Sequence, residues 1–172
     1  RYSYNSTLIN SLNLSLNVPA VKLLDAITVD TFKEAIGDNV KLSSEVKDLT
    51  AALGSVDSTP VNVAANFSIF VNGGYIVKPN IIREIRDNQD ILIYVAEIEK
   101  TKAFDSVDVS VITAMLKTVV SNGTASKARV VDKNGRPIQQ GGKTGTTNEH
   151  RTAWFVGITP EYVTACYIGR DD

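Results

Sequence analysis

The sequence predicts an α+β fold, in which helices pack against an antiparallel β-sheet. Apolar residues with helical spacing recur up to about residue 121, and strand-like runs separated by turn residues occupy the region from residue 139 to residue 168. A hairpin pattern near the middle of the chain interrupts the helices. With 172 residues and 43% hydrophobic content, residues 1–172 are expected to form part of one domain with a single core.

Two short helices are predicted first. The apolar residues between positions 18 and 27 share one helical face, with Pro19 in the first turn and Asn17 available as the cap. Asp30 is expected to cap a second helix, which ends at Gly37.

The middle of the chain predicts a helix followed by a hairpin. A helical pattern begins at Thr59-Pro60 and reaches residue 70, where Gly73 and Gly74 stop it. Two apolar runs, residues 81–85 and 91–95, then flank a cluster of turn residues.

The last part of the chain predicts a long helix and an antiparallel meander. Asp105 precedes a helical pattern that extends to Ser121, with Val109, Ile112, Leu116 and Val119 on one face. Strands are expected over residues 139–147, 154–158 and 162–168, and Cys166 in the last strand is expected to be buried.

The run from Gly141 to Thr147 carries the chemistry. Lys143 lies on a predicted strand that leads towards the apolar Ala-Trp-Phe-Val sequence, and an unpaired buried ammonium costs several kcal/mol. Thr144 and Thr146 are two residues apart and so share one face of the strand, where their hydroxyls can bind one carboxylate. The strand therefore predicts a site for a carboxylate.

These residues form part of a longer pattern that resembles the transpeptidase domain of class A penicillin-binding proteins. The resemblance extends from Thr7 to Gly169, and its matching segments are SLNVPAVKLL from residue 15, TP and FVNGG from residues 59 and 70, KTGTT from residue 143, and AWFVG from residue 153. It implies the penicillin-binding-protein and serine β-lactamase fold, of which this chain would be an incomplete part. The implied activity is cross-linking of peptidoglycan stem peptides at D-Ala-D-Ala through an acyl-enzyme, blocked by β-lactams, with no cofactor.

The resemblance also implies roles for individual residues. Lys143 would attract the substrate carboxylate, Thr144, Thr146 and Thr147 would bind the substrate, and the Thr146 N–H would be an oxyanion donor. Ser15 would relay a proton to the leaving amine, and Asn17 would bind the substrate amide. SLN also occurs at residue 11, but only the copy at residue 15 precedes Val-Pro-Ala-Val and a helix.

The family nucleophile is missing from its expected place. In the family, the nucleophile stands in a Ser-x-x-Lys motif that precedes the serine–asparagine pair. In this chain the only such motif, Ser44 to Lys47, comes after that pair, in a polar stretch. We interpret it as a chance match on the surface. We expect another piece of the same domain to supply the nucleophile, so that this chain alone is inactive. The membrane anchor is expected upstream, which places the enzyme on the extracytoplasmic face of the bacterial inner membrane.

Other classes of function are weaker. A formal charge of −1 without a basic block argues against nucleic acid, and one cysteine with one histidine, Cys166 and His150, argues against a metal site. A phosphate-binding loop would need glycine where Pro137 stands. A serine β-lactamase and a non-catalytic peptidoglycan or β-lactam binding module remain as alternatives.

Overall fold

The computed structural model describes residues 6–147 and 152–170. The helices of the described part are α1 (Leu8–Asn13), α2 (Asn17–Ile27), α3 (Val29–Ile36), α4 (Pro60–Phe67) and α5 (Ser106–Asn122). Its strands are β1 (Tyr75–Val77), β2 (Glu84–Arg86), β3 (Leu92–Val95), β4 (Lys100–Lys102), β5 (Gly141–Thr146), β6 (Thr152–Ile158) and β7 (Val163–Gly169).

Strands β5, β6 and β7 form an antiparallel sheet in that order, and α5 packs against β5. The approach of α5 leaves little space at Gly141, because a Cβ there would lie 3.1 Å from the main-chain carbon of Leu116. Behind this contact, Val119 is completely buried and packs with Val120 and Ala125. The core therefore fixes the last turns of α5 beneath the start of β5.

Two smaller antiparallel pairs lie outside this sheet. Strand β1 pairs with β4, and β2 pairs with β3 as a hairpin. The hairpin turn is held by Asp87, whose carboxylate accepts hydrogen bonds from the main-chain N–H groups of Gln89 and Ile91, both at 2.8 Å. The hairpin side chains are exposed, as is Ile81 just before it, which is 98% exposed.

The structure confirms the predicted α+β class and the order of its main elements. Helices α2, α4 and α5, the hairpin and the C-terminal meander lie where the sequence predicts them. The helix predicted to reach residue 70 is α4 followed by a 3-10 turn at Ser68–Phe70. The 3-10 turns at Leu49–Leu53 and Ser126–Ala128, and the elements α1, β1 and β4, were not predicted, because short elements carry too few residues to show a period.

Both predicted helix caps near the start of the chain are wrong. Helix α2 already includes Asn17, with Leu16 at the capping position and no side-chain cap. Thr28 rather than Asp30 caps α3, because the Thr28 hydroxyl accepts from the Thr31 N–H at 3.2 Å. The Asn17 side-chain amide therefore does not cap the helix.

Two predictions of burial are also wrong. Cys166 is exposed, because it lies on the face of β7 opposite to the half-buried Val163 and Ala165. On α5, Val109, Leu116 and Val119 are buried as predicted, but Ile112 is 39% exposed. No helix in the described ranges is long and apolar enough to cross a bilayer.

Candidate active site

Two side chains far apart in sequence meet between the α1–α2 junction and β5. The Lys143 ammonium donates a hydrogen bond to the Ser15 hydroxyl oxygen over 2.6 Å. The bond uses the oxygen's acceptor capacity, so the Ser15 O–H proton is still available to another group. We call Ser15, Lys143 and Thr144 the lysine–serine site.

Ser15 is held in an unusual backbone conformation. Its φ is 52°, in the left-handed region that a residue with a Cβ enters at a cost of about 1 kcal/mol. Main-chain hydrogen bonds from Ser15 to Leu12 and from Leu16 to Ser11, of 3.2 and 2.9 Å, close the turn around it. The turn between α1 and α2 therefore presents the Ser15 side chain towards β5.

Lys143 is half-buried and has no carboxylate partner among residues 6–147 and 152–170. Its ammonium also donates to the main-chain carbonyl of Thr144 at 2.9 Å, and none of the ion pairs among the described residues includes it. Burial lowers the pKa of Lys143, because removing water disfavours the charged form. A cation without an anionic partner is suited to attract a negatively charged ligand.

The threonines after Lys143 differ in their surroundings. The Thr144 hydroxyl lies 2.8 Å from the Thr124 hydroxyl, whereas Thr146, at the end of β5, is exposed. The Thr147 hydroxyl accepts from the Thr152 N–H at 3.0 Å and so helps to close the β5–β6 hairpin. Thr147 as a substrate-binding residue therefore stays a prediction, with its hydroxyl already engaged in the structure.

Asn17 lies at the start of α2, two residues after Ser15. Its side chain is exposed and has no hydrogen-bond partner within residues 6–147 and 152–170. The structure thus brings Ser15, Lys143 and Thr144 into direct or adjacent contact. Among the described residues, the Asn17 side chain and the Thr146 hydroxyl have no hydrogen-bond partner.

The earlier copy of the serine–asparagine pattern has a structural role. Ser11 is buried in α1, and its hydroxyl donates to the Thr7 carbonyl at 2.9 Å. The Asn13 side-chain oxygen accepts from the Thr118 hydroxyl at 2.6 Å, which ties α1 to α5. These two residues support the junction and do not contact Lys143.

The Ser-x-x-Lys spelling lies away from the lysine–serine site. The Ser44 hydroxyl accepts from the main-chain N–H of Asp57 at 2.8 Å, and Lys47 is exposed. His150, predicted to be a loop residue, lies outside the described residues.

The structure adds one residue that the sequence reasoning missed. Thr124 follows the glycine that ends α5, and its hydroxyl contacts Thr144. The sequence offered only a weak signal, an Asn-Gly-Thr that also fits an ordinary loop after a helix.

The geometry agrees with the family comparison. Residues 1–168 match the family described as the penicillin binding protein transpeptidase domain. The chain belongs to this family. It is 36% identical over 177 aligned residues to penicillin-binding protein 1A of Neisseria meningitidis serogroup A, covering 99% of this chain and 22% of that protein.

Solved penicillin-binding protein structures show the same fold. Penicillin-binding protein 1A from Haemophilus influenzae matches all of this chain and 31% of its own with a TM-score of 0.82, at 23% identity. Penicillin-binding protein A from Mycobacterium tuberculosis, described as an imipenem acyl-enzyme complex, matches 95% of this chain and 42% of its own with a TM-score of 0.75, at 15% identity. Identities this low show the fold alone.

Proposed function

We propose that this chain carries one side of the active site of a D-Ala-D-Ala transpeptidase that cross-links peptidoglycan stem peptides and is inhibited by β-lactams. The observation that carries the proposal is the 2.6 Å contact between Lys143 and Ser15, made by a half-buried cation that has no ion-pair partner among the described residues. Both substrate and inhibitor offer the carboxylate that such a cation would attract.

Lys143 and the threonines of β5 bind the carboxylate in this proposal. The terminal carboxylate of D-Ala-D-Ala is acceptor-only, so it needs donors, which the ammonium and the hydroxyls of Thr144 and Thr146 provide. Thr147 follows Thr146 directly after the end of β5, and we propose that it also contacts the substrate. The contact to a charged group is stronger than a neutral hydrogen bond, because the site is partly shielded from water.

Strand β5 also offers main-chain donors. It pairs with β6 on one side and with no described strand on the other, so alternate N–H groups along its outer edge face outwards. We assign the Thr146 N–H to the oxyanion that forms when the peptide carbonyl is attacked, a kind of contact worth about 3 kcal/mol of the barrier.

Ser15 moves the proton during acylation. The nucleophilic serine loses its proton to its lysine base as it attacks the carbonyl. Ser15 gives its own proton to the nitrogen of the departing D-Ala as the peptide bond breaks, and it takes up the proton held by that base. The Lys143 ammonium stabilises negative charge on the Ser15 oxygen while the proton moves. Asn17 holds the substrate amide through its free side-chain amide.

The nucleophile and its lysine base are assigned to a part of the domain outside this chain, in a Ser-x-x-Lys motif. The chain spans about 22% of the length of its Neisseria relative, so this piece and a membrane anchor fit in the remainder. We propose that residues 1–172 form part of a single transpeptidase domain, at the extracytoplasmic face of the bacterial inner membrane.

The test is penicillin acylation of the full-length protein, followed by intact mass. Lys143→Met should lower the acylation rate constant by at least about 100-fold, because it removes the charge that binds the carboxylate and supports Ser15. Lys102→Met, at an exposed lysine of β4, should leave the rate unchanged.

Near-normal labelling of Lys143→Met would refute the assignment. The lifetime of the acyl-enzyme separates the alternatives: a transpeptidase holds the acyl group long after labelling, and a serine β-lactamase releases it quickly. A wild-type protein that binds penicillin without a gain in mass would be the non-catalytic module.

A further inference from the structure

The segment directly after α5 contacts both sides of the lysine–serine site. The main-chain N–H of Thr124 donates to the carbonyl of Asn13 at 3.1 Å, and Asn13 lies two residues before Ser15. The Thr124 hydroxyl lies 2.8 Å from that of Thr144, which follows Lys143 on β5. One residue thus joins the α1–α2 junction to the strand that faces it.

The segment is fixed in place by close packing. A Cβ at Gly123 would lie 2.6 Å from the Asn13 oxygen and 2.8 Å from the Val119 oxygen, so no larger residue fits without moving the main chain. Ala125 is only 3% exposed and packs in the core with Val119. Thr124 therefore has little freedom to shift when Thr144 engages a ligand.

A second tie between the same elements strengthens this arrangement. The Thr118 hydroxyl, one helical turn before the end of α5, donates to the Asn13 side chain at 2.6 Å. The end of α5 therefore holds Asn13 by its side chain and, through Thr124, by its main chain. Thr124 is the member of this set whose side chain reaches β5.

The direction of the Thr124–Thr144 hydrogen bond follows from the ligand. Each hydroxyl has one proton, and a carboxylate can only accept. If Thr144 gives its proton to the carboxylate, then Thr124 must donate to the Thr144 oxygen. The chain of donors then runs from Thr124 through Thr144 to the carboxylate, and each bond polarises the next.

We propose that Thr124 is a positioning residue, which orients the Thr144 hydroxyl towards the carboxylate of the substrate or β-lactam. The proposal rests on the function proposed above and adds a residue outside the two motif clusters. Thr124 acts through Thr144 and touches no reacting atom itself. Its removal should weaken recognition of the carboxylate and leave the remaining chemistry intact.

The experiment measures the second-order rate constant of acylation of the full-length protein by penicillin. Thr124→Val and Thr124→Ala should each lower it about 3- to 10-fold, the loss expected for one hydrogen bond, and Thr124→Ser should restore it to within about 2-fold. Thr101→Val, at an exposed threonine of β4, is the matched control and should have no effect. Unchanged melting temperatures would show that the variants fold.

Two further readouts separate positioning from a general structural effect. In a Thr144→Val background, adding Thr124→Val should cause no further loss, because the partner through which Thr124 acts is gone. With a penicillin whose carboxylate is esterified, wild type and Thr124→Val should react at equal rates.

Each contrary result has a definite meaning. Three results with a reactive wild type would show that Thr124 does not position Thr144: an unchanged rate in Thr124→Val, an equal loss of rate with the esterified penicillin, or an equal loss of rate in the Thr144→Val background. In each case this inference falls alone. If wild type fails to react with penicillin at all, the proposed function falls, and this inference falls with it.

Discussion

The same pattern, Ser-Leu-Asn, occurs twice within seven residues and has two different environments. In the first copy, the Ser11 hydroxyl is buried and bonded to Thr7, and the Asn13 side chain is bonded to Thr118. In the second copy, Ser15 has a φ of 52° and meets Lys143, while Asn17 is exposed. The first copy makes the stabilising contacts that the second leaves open for a ligand.

This difference separates polar groups that have structural partners from polar groups that we propose take part in the reaction. A polar group whose partners are all within the protein contributes to stability and is closed to substrate. Ser15 carries the opposite features, which are local backbone strain and a hydroxyl that meets a partly desolvated cation. Such features cluster at functional sites, and the comparison of the two copies makes them visible within one chain.

The largest effect expected from this comparison is on acylation. Ser15→Ala should lower the rate of penicillin acylation of the full-length protein by about 100-fold or more, because it removes the proposed proton relay. Ser11→Ala is the matched change in the first copy and should lower melting temperature while the folded protein acylates normally. Equal loss of acylation in both variants would show that the two copies do not differ in role.

A smaller effect separates the two asparagines by stability. Asn13→Ala should destabilise the protein by about 1 kcal/mol, because it removes the side-chain tie between α1 and α5 and leaves the Thr118 hydroxyl only the Met115 carbonyl as acceptor. Asn17→Ala should change stability by less than about 0.5 kcal/mol, since the exposed Asn17 side chain has no partner among the described residues, yet it should slow acylation. Denaturant unfolding and penicillin labelling measure the two effects, and the reverse pattern would contradict the comparison.

The smallest effect expected is a pH dependence of stability at Lys143. Its pKa is lowered in the folded state by burial, so between that value and the ordinary lysine pKa of about 10.5 the unfolded chain binds more protons. The burial penalty is therefore fully present below the lowered pKa of the folded state and is relieved as the pH rises through this window. The melting temperature of Lys143→Met should exceed that of wild type by the most near pH 7. This difference in melting temperature should shrink towards pH 10.5.

Thermal unfolding of both full-length proteins from pH 7 to pH 10.5 measures this difference. In wild type, the transition that belongs to this domain is identified by the shift that penicillin produces. A difference that stays constant, or one that widens with pH, would mean that burial does not lower the pKa of Lys143.

The sequence predicts much of this fold because its main elements have a clear period. The apolar face of α5 and the alternating strands of the meander are long enough to show it. The caps could not be predicted as reliably, because Thr28 and Asp30 are both good capping residues and only the backbone geometry selects Thr28.

The candidate site could be predicted from the sequence only in part. Lys143 and the threonines stand out because a cation and hydroxyls on a glycine-flanked strand are unusual. Thr124 did not, because its role depends on two contacts, with Asn13 and Thr144, that join residues distant in sequence. Alternation along β7 places Val163 and Cys166 on opposite faces, but it does not show which face the rest of the fold covers.

The most direct test of the account is a crystal structure of the full-length protein acylated by penicillin. The account predicts that the β-lactam carboxylate lies at hydrogen-bond distance, about 3 Å, from the Thr144 and Thr146 hydroxyls. The Lys143 ammonium would remain next to Ser15. A carboxylate bound elsewhere, with Lys143 turned into solvent away from Ser15, would contradict it.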